Sequence, residues 1–414
     1  MAKENIICGL DIGTSNIKAV VAQVKFGQNK PQILGTGLSS SFGLRKGVVV
    51  DVKEVVKNIK QSVEEAERMS GLPFEHAYVN IGGNHISCRS SKGVIAVSRA
   101  DGEISEEDIL RAVQAAEAIA IPQNREILHT IVRYFTVDGE EFIKDPVGMS
   151  GVRLEANVLI IEGSTPFIKN LTKCLNEADI EIDGLVLSNL AASRAVLSKR
   201  QKELGVLVLD LGGGTTNLTV FEEGDTIHTS VLPVGSGHIT NDLAIGLRIS
   251  IDLAEKLKLG YGSALADEID KKEVINLSKL DEGEEGLVSR RYLSEIIQAR
   301  LNEIFDLVNK ELKKIDRQGL LPAGLVMVGG GAKLSGLVDL AKDRLGLPAQ
   351  IGSPINIDGV IDRVDDPFFA TAVGLILWGM DEEEKGGEKK TFIPFFKTGN
   401  PLTKIFRWLK TFLP

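Results

Sequence analysis

Two aspartates, each placed after an apolar run and before glycine and hydroxyl residues, are the groups in this chain best suited to chemistry. Asp11 lies in the stretch ICGLDIGTSNIKAVV (7–21), and Asp210 lies in VLVLDLGGGTTNLTV (206–220). A glycine turn lets backbone N–H groups converge on an anion, and a carboxylate at a strand end can hold a hydrated cation. The pattern therefore indicates a strand, a tight turn and a second strand that hold a nucleoside phosphate with magnesium.

A single glycine-rich hairpin is more often only a turn, and the duplication is what strengthens the interpretation. Both stretches share the order Asp, apolar, Gly, two hydroxyl residues, Asn and apolar, and the second copy has two extra glycines. This internal repeat predicts two related domains that face each other across a cleft. One hairpin from each domain would grip the phosphates.

A third glycine run, Gly329–Gly331, follows the apolar stretch 324–328 and precedes a helix for which Ser335 is the predicted N-cap. Such a turn can approach a flat base or a phosphate through its backbone, although a plain strand–helix turn is the alternative. Neither GxxxxGK[ST] nor GxGxxG occurs in the sequence. A P-loop enzyme and a Rossmann dehydrogenase are therefore both disfavoured.

Composition is that of an ordinary globular protein with room for two to four domains, since the 414 residues are 43% hydrophobic and 25% charged. The net charge of -9 argues against general nucleic-acid binding. The cysteines Cys8, Cys88 and Cys174 have no metal-ligand spacing and suggest a reducing compartment. The longest apolar run, near Phe368–Met380, is too short to span a bilayer, and no signal peptide is recognised. We therefore expect a cytoplasmic protein.

Apolar periodicity predicts an alternation of strands and helices. Helices are expected at 52–68, 106–119, 165–178, 190–198, 241–247, 251–257, 292–315 and 370–380, the last with Gly374 allowing close packing. Further strands are expected at 32–38, 76–81, 127–137, 154–162, 182–187 and 226–234, with a strand or hairpin at 86–98. The region between about 86 and 163 reads as a small α+β insertion without a catalytic cluster. It is either a surface subdomain or a protein-contact module.

The three motifs, in this order, resemble the phosphate-1, phosphate-2 and adenosine motifs of the actin/Hsp70/sugar-kinase ATPase superfamily. The helices after Ser188 and from Phe369 resemble its two connecting helices. Within the superfamily the chain is similar to the FtsA family of bacterial cell-division proteins over essentially its whole length, because the insertion sits where that family carries its 1C subdomain. The resemblance implies an α/β, actin-like fold of duplicated ribonuclease H-like ATPase domains, with an inserted α+β subdomain and a C-terminal amphipathic helix.

The resemblance also implies an assignment of subdomains to the chain. Subdomain 1A would comprise 1–85, 164–200 and 365–385; 1C would be 86–163; 2A would be 201–244 and 315–364; 2B would be 245–314; a flexible linker would cover 386–398 and a membrane-targeting helix 399–414.

By the same resemblance, the cofactors are ATP and magnesium, and individual positions acquire roles. Asp11 and Asp210 would face the magnesium, mostly through water. Glu255 and Lys258, one helical turn apart, match the ribose-contacting pair of relatives, although a solvated helix face is the alternative. The remaining positions would line the phosphates or the adenosine: Gly13, Thr14, Ser15, Asn16 and Lys18 on one side, Gly212, Gly213, Gly214, Thr215 and Thr216 on the other, and Gly329, Gly330 and Gly331 along the adenosine.

One departure from the superfamily concerns hydrolysis. Catalytic relatives place Glu or Gln at the start of the first connecting helix to orient the attacking water, and this chain has Ser188-Asn189 there. Loss of a water-orienting group weakens general-base positioning. We therefore expect ATP binding with at most slow hydrolysis, and no catalytic residue is assigned.

The C-terminal stretch 400–414 has one apolar helical face and a basic opposite face, and it follows a charged, glycine-containing tether at 381–390. Pro401 suits the first turn of a helix. This combination is typical of an interfacial membrane helix, with docking on the protein's own core as the alternative. The residues expected at the membrane are Leu402, Ile405, Phe406, Trp408, Leu409, Phe412 and Leu413, with Lys404, Arg407 and Lys410 on the basic side.

The resemblance implies a peripheral protein on the cytoplasmic face of the cell membrane at the division site. It would bind anionic lipids, polymerise with itself, anchor the C-terminal peptide of FtsZ, act in septum formation and recruit other divisome proteins through the 1C region. The FtsZ contact would lie at about 245–314. The alternatives are a PilM-like scaffold of a pilus assembly, and a kinase or chaperone ATPase of the same superfamily. No nucleic acid is expected as a partner.

Overall fold

The structure is a computed structural model that describes residues 5–25, 30–118, 122–281 and 283–384. Its strands are β1 (Asn5–Ile12), β2 (Asn16–Val24), β3 (Gln32–Ser40), β4 (Leu44–Arg45), β5 (Val48–Val49), β6 (His76–Ile81), β7 (Ser87–Ala96), β8 (Arg125–Val137), β9 (Glu140–Ile143), β10 (Arg153–Ser164), β11 (Glu181–Leu187), β12 (Val206–Leu211), β13 (Thr216–Glu222), β14 (Asp225–Leu232), β15 (Val274–Asn276), β16 (Leu287–Ser289), β17 (Leu325–Val328), β18 (Ala349–Ile351) and β19 (Asp358–Gly359).

The α-helices alternate with these strands. They are α1 (Val52–Ser70), α2 (Glu106–Glu117), α3 (Thr165–Glu177), α4 (Ser188–Val196), α5 (Lys199–Leu204), α6 (Ser236–Leu247), α7 (Ile251–Tyr261), α8 (Arg290–Lys314), α9 (Leu337–Leu345), α10 (Ile361–Val364) and α11 (Ala370–Glu384).

Two sheets repeat one topology, as the duplicated hairpin predicted. The first has the order β11-β6-β1-β2-β3-β19, and the second has the order β14-β13-β12-β17-β18. In each sheet an antiparallel meander of three strands, β1–β3 or β12–β14, is extended by two strands parallel to its first strand. The two halves of the molecule are therefore built on the same plan.

Helices α4 and α11 lie between the two sheets. Successive residues of a strand point to opposite faces, so each sheet packs one face against these two helices and the other face against outer helices. In β1, Ile7 packs with α4 and α11, whereas Leu10 packs against α1 and α3 on the other face. In β12, Val208 faces the same central pair of helices, and Leu209 faces α8. The central helices touch backbone to backbone: a Cβ at Gly374 would lie 1.8 Å from the carbonyl oxygen of Ala191.

The insertion between the two parts of the first half is a four-stranded sheet, in the order β7-β10-β8-β9, with α2 packed on one face. It has its own apolar core, which includes Ile109, Phe135 and Val158. The small α+β insertion was predicted, with the exception of the short strand β9. It also contacts the second half, because the ammonium group of Lys144 donates a hydrogen bond to the carboxylate of Asp225 at the start of β14.

Two helix starts were predicted wrongly, and one helix was missed. Helix α6 begins at Ser236, five residues before the predicted start, because Gly235–Gly237 already forms its first turn and carries no apolar periodicity. Helix α5 was missed because it has no buried residue to create a periodic signal. Ser335 does not cap α9; the N-cap is Gly336, which adopts a φ of 74° that favours glycine.

None of the helices within the described residues is long and apolar enough to cross a membrane. The predicted linker at 386–398 and the predicted amphipathic helix at 399–414 lie outside the described residues.

Candidate nucleotide site

The two Asp-Gly hairpins have turns of equal length. In the first, Ile12 pairs with Ile17, and in the second Leu211 pairs with Thr216, so four residues form the turn in each case. The two extra glycines of the second copy therefore do not lengthen its turn. Its additional glycines take the positions of Thr14 and Ser15, because ladder register defines equivalence and the order of side chains does not.

The two turns meet tip to tip, each coming from its own sheet. A Cβ at Gly213 would lie 1.9 Å from the Oγ of Ser15, and a Cβ at Gly214 would lie 2.7 Å from the Oγ1 of Thr14. The glycines of the second turn therefore make room for the hydroxyls of the first. The two hairpins face each other, as predicted, and a cleft between their domains stays a prediction.

Asp11 is buried and held by two partners. Its Oδ2 accepts a hydrogen bond from the Nζ of Lys18 at 2.6 Å, and its Oδ1 accepts one from the Nδ2 of Asn80 at 2.7 Å. Lys18 also lies 4.1 Å above the ring of Phe368. Lys18 was predicted to serve the site, whereas Asn80 and Phe368 were missed because they come from β6 and from the segment before α11.

Asp210 is equally buried but has a weaker partner. Its Oδ2 accepts a hydrogen bond from the Nδ2 of Asn217 at 3.2 Å. Burial and, to a lesser extent, the negative charge of Asp11 together raise the pKa of Asp210 to about 6, against the opposing effects of Lys18 and Asn217. The effect of Asp11 on this pKa indicates that the two carboxylates lie near enough for their charges to interact.

The third glycine run lies directly beside Asp210. A Cβ at Gly329 would lie 2.3 Å from the Oδ1 of Asp210, and Gly329 has a φ of 83°. A Cβ at Gly331 would lie 2.9 Å from the carbonyl oxygen of Leu211, and one at Gly330 would lie 3.4 Å from the ring of Phe368. All three motifs singled out in the sequence therefore converge on one place.

The start of α6 is hydrogen-bonded to the backbone of the second turn. The N–H groups of Ser236 and Gly237 donate to the carbonyl oxygens of Gly212 and Gly213, both at 2.8 Å. Sequence reasoning did not assign these residues to the site, although two glycines around Ser236 are a sign of close backbone approach. These bonds fix the direction in which the N–H groups of the second turn point.

The hydroxyls of the two turns differ in availability. The Oγ1 of Thr14 accepts the N–H of Gly47 at 3.0 Å and keeps its own hydrogen to donate. Thr216, in contrast, lies fully buried in β13, and its Oγ1 already donates to the carbonyl oxygen of Val234 at 2.8 Å. Asn16 begins β2 and pairs with Ser40 in β3.

The predicted pair Glu255 and Lys258 forms a cluster on α7. The Nζ of Lys258 lies 2.6 Å from a carboxylate oxygen of Glu255 and 2.8 Å from the Oγ1 of Thr240. Thr240 was not predicted. It lies one turn after Ser236 on α6, so this helix links the second turn to the Glu255 and Lys258 pair.

The residues between the two turns fit a hydrated magnesium ion. Two buried carboxylates lie near each other, and the Oδ1 of Asn217 is buried beside Asp210 without a hydrogen-bond partner. No group of three or more metal-ligating side chains occurs among the described residues. Magnesium characteristically keeps several waters and uses one or two carboxylates together with substrate phosphates, and this donor set is of that kind.

Comparison with known proteins defines the family. A family model described as "Cell division protein FtsA" matches residues 207–374, and one described as "SHS2 domain inserted in FTSA" matches residues 83–162. The cell-division protein FtsA of Pseudomonas aeruginosa is 36% identical over 409 residues, which cover 98% of this chain and 97% of that protein. The FtsA of Borreliella burgdorferi is 37% identical over 98% of both chains, and that of Bacillus subtilis is 38% identical over 95% of this chain and 87% of that protein.

The chain belongs to the FtsA family of cell-division proteins. The family resemblance drawn from the sequence is therefore confirmed.

Solved structures agree with the actin-like fold of this FtsA. The chain is similar to the PilM–PilN type IV pilus biogenesis complex, with a TM-score of 0.66 and 18% identity over 90% of this chain and 98% of that chain. It is also similar to MreB5 of Spiroplasma citri bound to ADP, with a TM-score of 0.55 and 15% identity over 92% of this chain and 99% of that chain.

At the start of α4, the side chains of Ser188 and Asn189 are both buried. The Oγ of Ser188 accepts from Asn80 at 3.1 Å and donates to the carbonyl oxygen of Ile81 at 3.1 Å. Asn189 is completely buried, and its amide donates to the Oγ1 atoms of Thr219 and Thr229 in the second sheet. The Oδ1 of Asn189 has no hydrogen-bond partner, but it is buried between the two sheets with the rest of the side chain.

Proposed function

We propose that this FtsA is an ATP-binding switch that polymerises on the cytoplasmic face of the membrane at the division site. There it anchors FtsZ and recruits later division proteins. The observation that carries the nucleotide part is the meeting of the two hairpins, with the buried carboxylates of Asp11 and Asp210 near enough for their charges to interact and Gly329–Gly331 alongside. The printed names of the relatives, which are cell-division proteins, support the cellular part.

The geometry supports ATP as the ligand. Related folds have been solved with ADP and with AMPPNP, in each case for MreB5 of Spiroplasma citri. In this chain the glycines at 212–214 leave backbone N–H groups able to face phosphate oxygens, and Lys18 brings a fixed positive charge. The magnesium ion would neutralise phosphate charge between Asp11 and Asp210, and Glu255 and Lys258 would meet the ribose.

Slow hydrolysis follows from the state of Ser188 and Asn189. General-base positioning needs a side chain within hydrogen-bonding reach of the attacking water, and these two side chains are buried and bonded to Ile81, Asn80 and the second sheet. ATP occupancy would then persist and act as a signal for assembly. Direct measurement of phosphate release in the presence of polymer tests this point, and fast steady turnover would contradict it.

Membrane attachment is assigned to the stretch 399–414 by its sequence pattern. Partial burial of its apolar face and about 1 kcal/mol for each basic residue at an anionic surface are opposed by the free energy of ordering the segment, roughly 1–2 kcal/mol per residue. A single tail would bind weakly and reversibly, and assembly would add avidity. A monomer-locked variant is expected to leave liposomes, and equal binding of monomer and polymer would contradict the avidity argument.

The contact with FtsZ is placed at about 245–314 and the recruitment of other division proteins at about 86–163. Both assignments come from the family resemblance. Several large apolar side chains of the first region are exposed, among them Ile245, Leu259 and Leu287, which are 77%, 75% and 67% exposed. Exposed apolar groups of this kind favour a protein contact.

Two measurements test the proposal. Titration with a fluorescent ATP analogue should show binding that magnesium strengthens, and Asp210→Asn should weaken it strongly while the surface variant Lys310→Ala should not. Co-sedimentation with anionic liposomes in the presence of ATP should depend on residues 399–414. Nucleotide binding without tail-dependent membrane binding and without binding of an FtsZ C-terminal peptide would favour the PilM-like scaffold, and turnover stimulated by a sugar or a peptide would favour the kinase or chaperone alternative.

A further inference from the structure

Asn80 closes the gap between β6 and β1 at the edge of the site. The parallel register of these strands is given by Leu10 opposite Val79, and one step further the N–H of Ile12 donates to the side-chain Oδ1 of Asn80 at 2.6 Å. The side chain is only 6% exposed. It therefore takes a place in the ladder that backbone would otherwise fill, and its orientation is fixed by the strand next to Asp11.

The amide of Asn80 donates in two directions. One bond goes to the Oδ1 of Asp11 at 2.7 Å and the other to the Oγ of Ser188 at 3.1 Å. With the bond from Ile12, the amide group has one accepted and two donated hydrogen bonds. A buried amide with this set of bonds has a single stable orientation.

The consequence for Asp11 is a division of its two oxygens. Lys18 holds Oδ2 and Asn80 holds Oδ1. Lys18 holds only one of the two oxygens, and a carboxylate held at one oxygen can still turn about its Cβ–Cγ bond. The bond from Asn80 to Oδ1 opposes this rotation, so the two partners together set the orientation of the carboxylate.

We propose that Asn80 is a positioning residue for the magnesium-dependent part of nucleotide binding. This inference rests on the proposed function, because it assigns Asn80 to the same site. Asn80 would act through Asp11 and would touch neither the nucleotide nor the ion. Partners that orient a metal-facing carboxylate typically account for about 10–100-fold in metal affinity, and we expect an effect of that size.

The test compares binding of the fluorescent ATP analogue in excess magnesium chloride with binding in excess EDTA. For Asn80→Ala, the gain in affinity that magnesium produces should fall about 10–100-fold, and the affinity in EDTA should stay unchanged. Asn309→Ala is the control, because its amide also donates a hydrogen bond, in this case to the carbonyl oxygen of Arg344, but lies on α8. It should leave both affinities unchanged.

Two further variants keep the test decisive. Asn80→Leu conserves the volume of the side chain and carries the test if the alanine variant does not fold in a thermal melt. Ser188→Ala leaves the Asn80–Asp11 bond and should retain most of the magnesium gain.

An unchanged magnesium gain would overturn the inference. If the affinity nevertheless fell equally with and without magnesium, Asn80 would be a structural residue only. If the unmodified protein binds the analogue in neither condition, it is the proposed function that fails.

Discussion

The two hairpins share a backbone and differ in one charge. Asp11 pairs across its ladder with Lys18, and Asp210 pairs across the equivalent ladder with Asn217. The first carboxylate is therefore neutralised by its own hairpin, whereas the second is buried with only an amide, and its pKa rises to about 6. The two copies of the hairpin therefore differ in their need for a bound cation. The carboxylate of the first copy is paired with the ammonium of its own hairpin, and we expect the carboxylate of the second copy to require a cation from the ligand.

The largest effect is expected from closing the gap between the turns. Gly213→Ala places a Cβ 1.9 Å from the Oγ of Ser15 and pushes the hairpins apart. A displacement of about 1 Å can cost on the order of 100-fold in a positioned site, so affinity for the ATP analogue should fall by about that factor.

The compensating double variant Ser15→Gly with Gly213→Ala moves the small residue to the other turn. It should recover most of the affinity that Gly213→Ala loses. No recovery would mean that the backbone freedom of Gly213, and not its contact with Ser15, is what the site requires.

Giving both hairpins a lysine opposite the aspartate should remove the electrostatic difference between them. Asn217→Lys puts an ammonium opposite Asp210, as Lys18 stands opposite Asp11. The carboxylate would then be neutralised without magnesium, and the magnesium gain in nucleotide affinity should fall about tenfold or more. The matched control Asn217→Gln keeps an amide, and a similar loss in that variant would point to packing instead of charge.

Lowering the pH should weaken magnesium-dependent nucleotide binding, because it protonates Asp210. Since the pKa is about 6, the ionised fraction falls by about fourfold between pH 7.5 and pH 5.5, and magnesium-dependent affinity should fall with it. In the absence of ligand, Asp210 makes the stability of the folded protein depend on pH in the opposite direction. A raised pKa contributes stability below about pH 4, and that stability is lost as the pH rises through about 6.

Asp210→Asn isolates this contribution from those of other carboxylates. It should flatten the part of the thermal-stability profile between pH 4 and 6 that Asp210 causes. Identical profiles for the variant and the unmodified protein would contradict the assignment.

The smallest effect concerns the ring above Lys18. Phe368→Leu removes a cation–π contact of 4.1 Å, which is worth about 0.5–2 kcal/mol, while an apolar side chain remains in place. The loss of nucleotide affinity should be smaller than in the Asn217→Lys variant. Calorimetric titration with the nucleotide should show the same loss of affinity with and without magnesium. A loss confined to the magnesium condition would mean that Phe368 acts on Asp11 instead.

The sequence was sufficient for the parts of the fold that repeat. The duplicated Asp-Gly pattern predicted two facing halves, and the apolar runs predicted nearly every strand of the two large sheets. Register could not be read in this way, because matching Asn16 to Asn217 followed side-chain order, whereas the ladders match Lys18 to Asn217. The asymmetry between the hairpins was hidden by that choice.

Residues that reach the site from distant strands were not predictable from local patterns. Asn80 and Phe368 are 69 and 357 positions from Asp11 in the chain, by subtraction of their numbers, and nothing near them in sequence marks them as polar or aromatic partners. Helix α5 is a different case. Ser198 and Gln201 form a capping box, and this sequence signal was available but unused.

The close contact of Gly374 with Ala191 has a mechanical consequence. The two helices that join the halves meet where no side chain separates them, so sliding of one past the other is blocked by backbone atoms, while turning about the point of contact is not. The crossing therefore works as a pivot. A change in the gap between the hairpins would be expressed as a twist of one half against the other, and in any end-to-end stack of such subunits that twist would add up from one copy to the next.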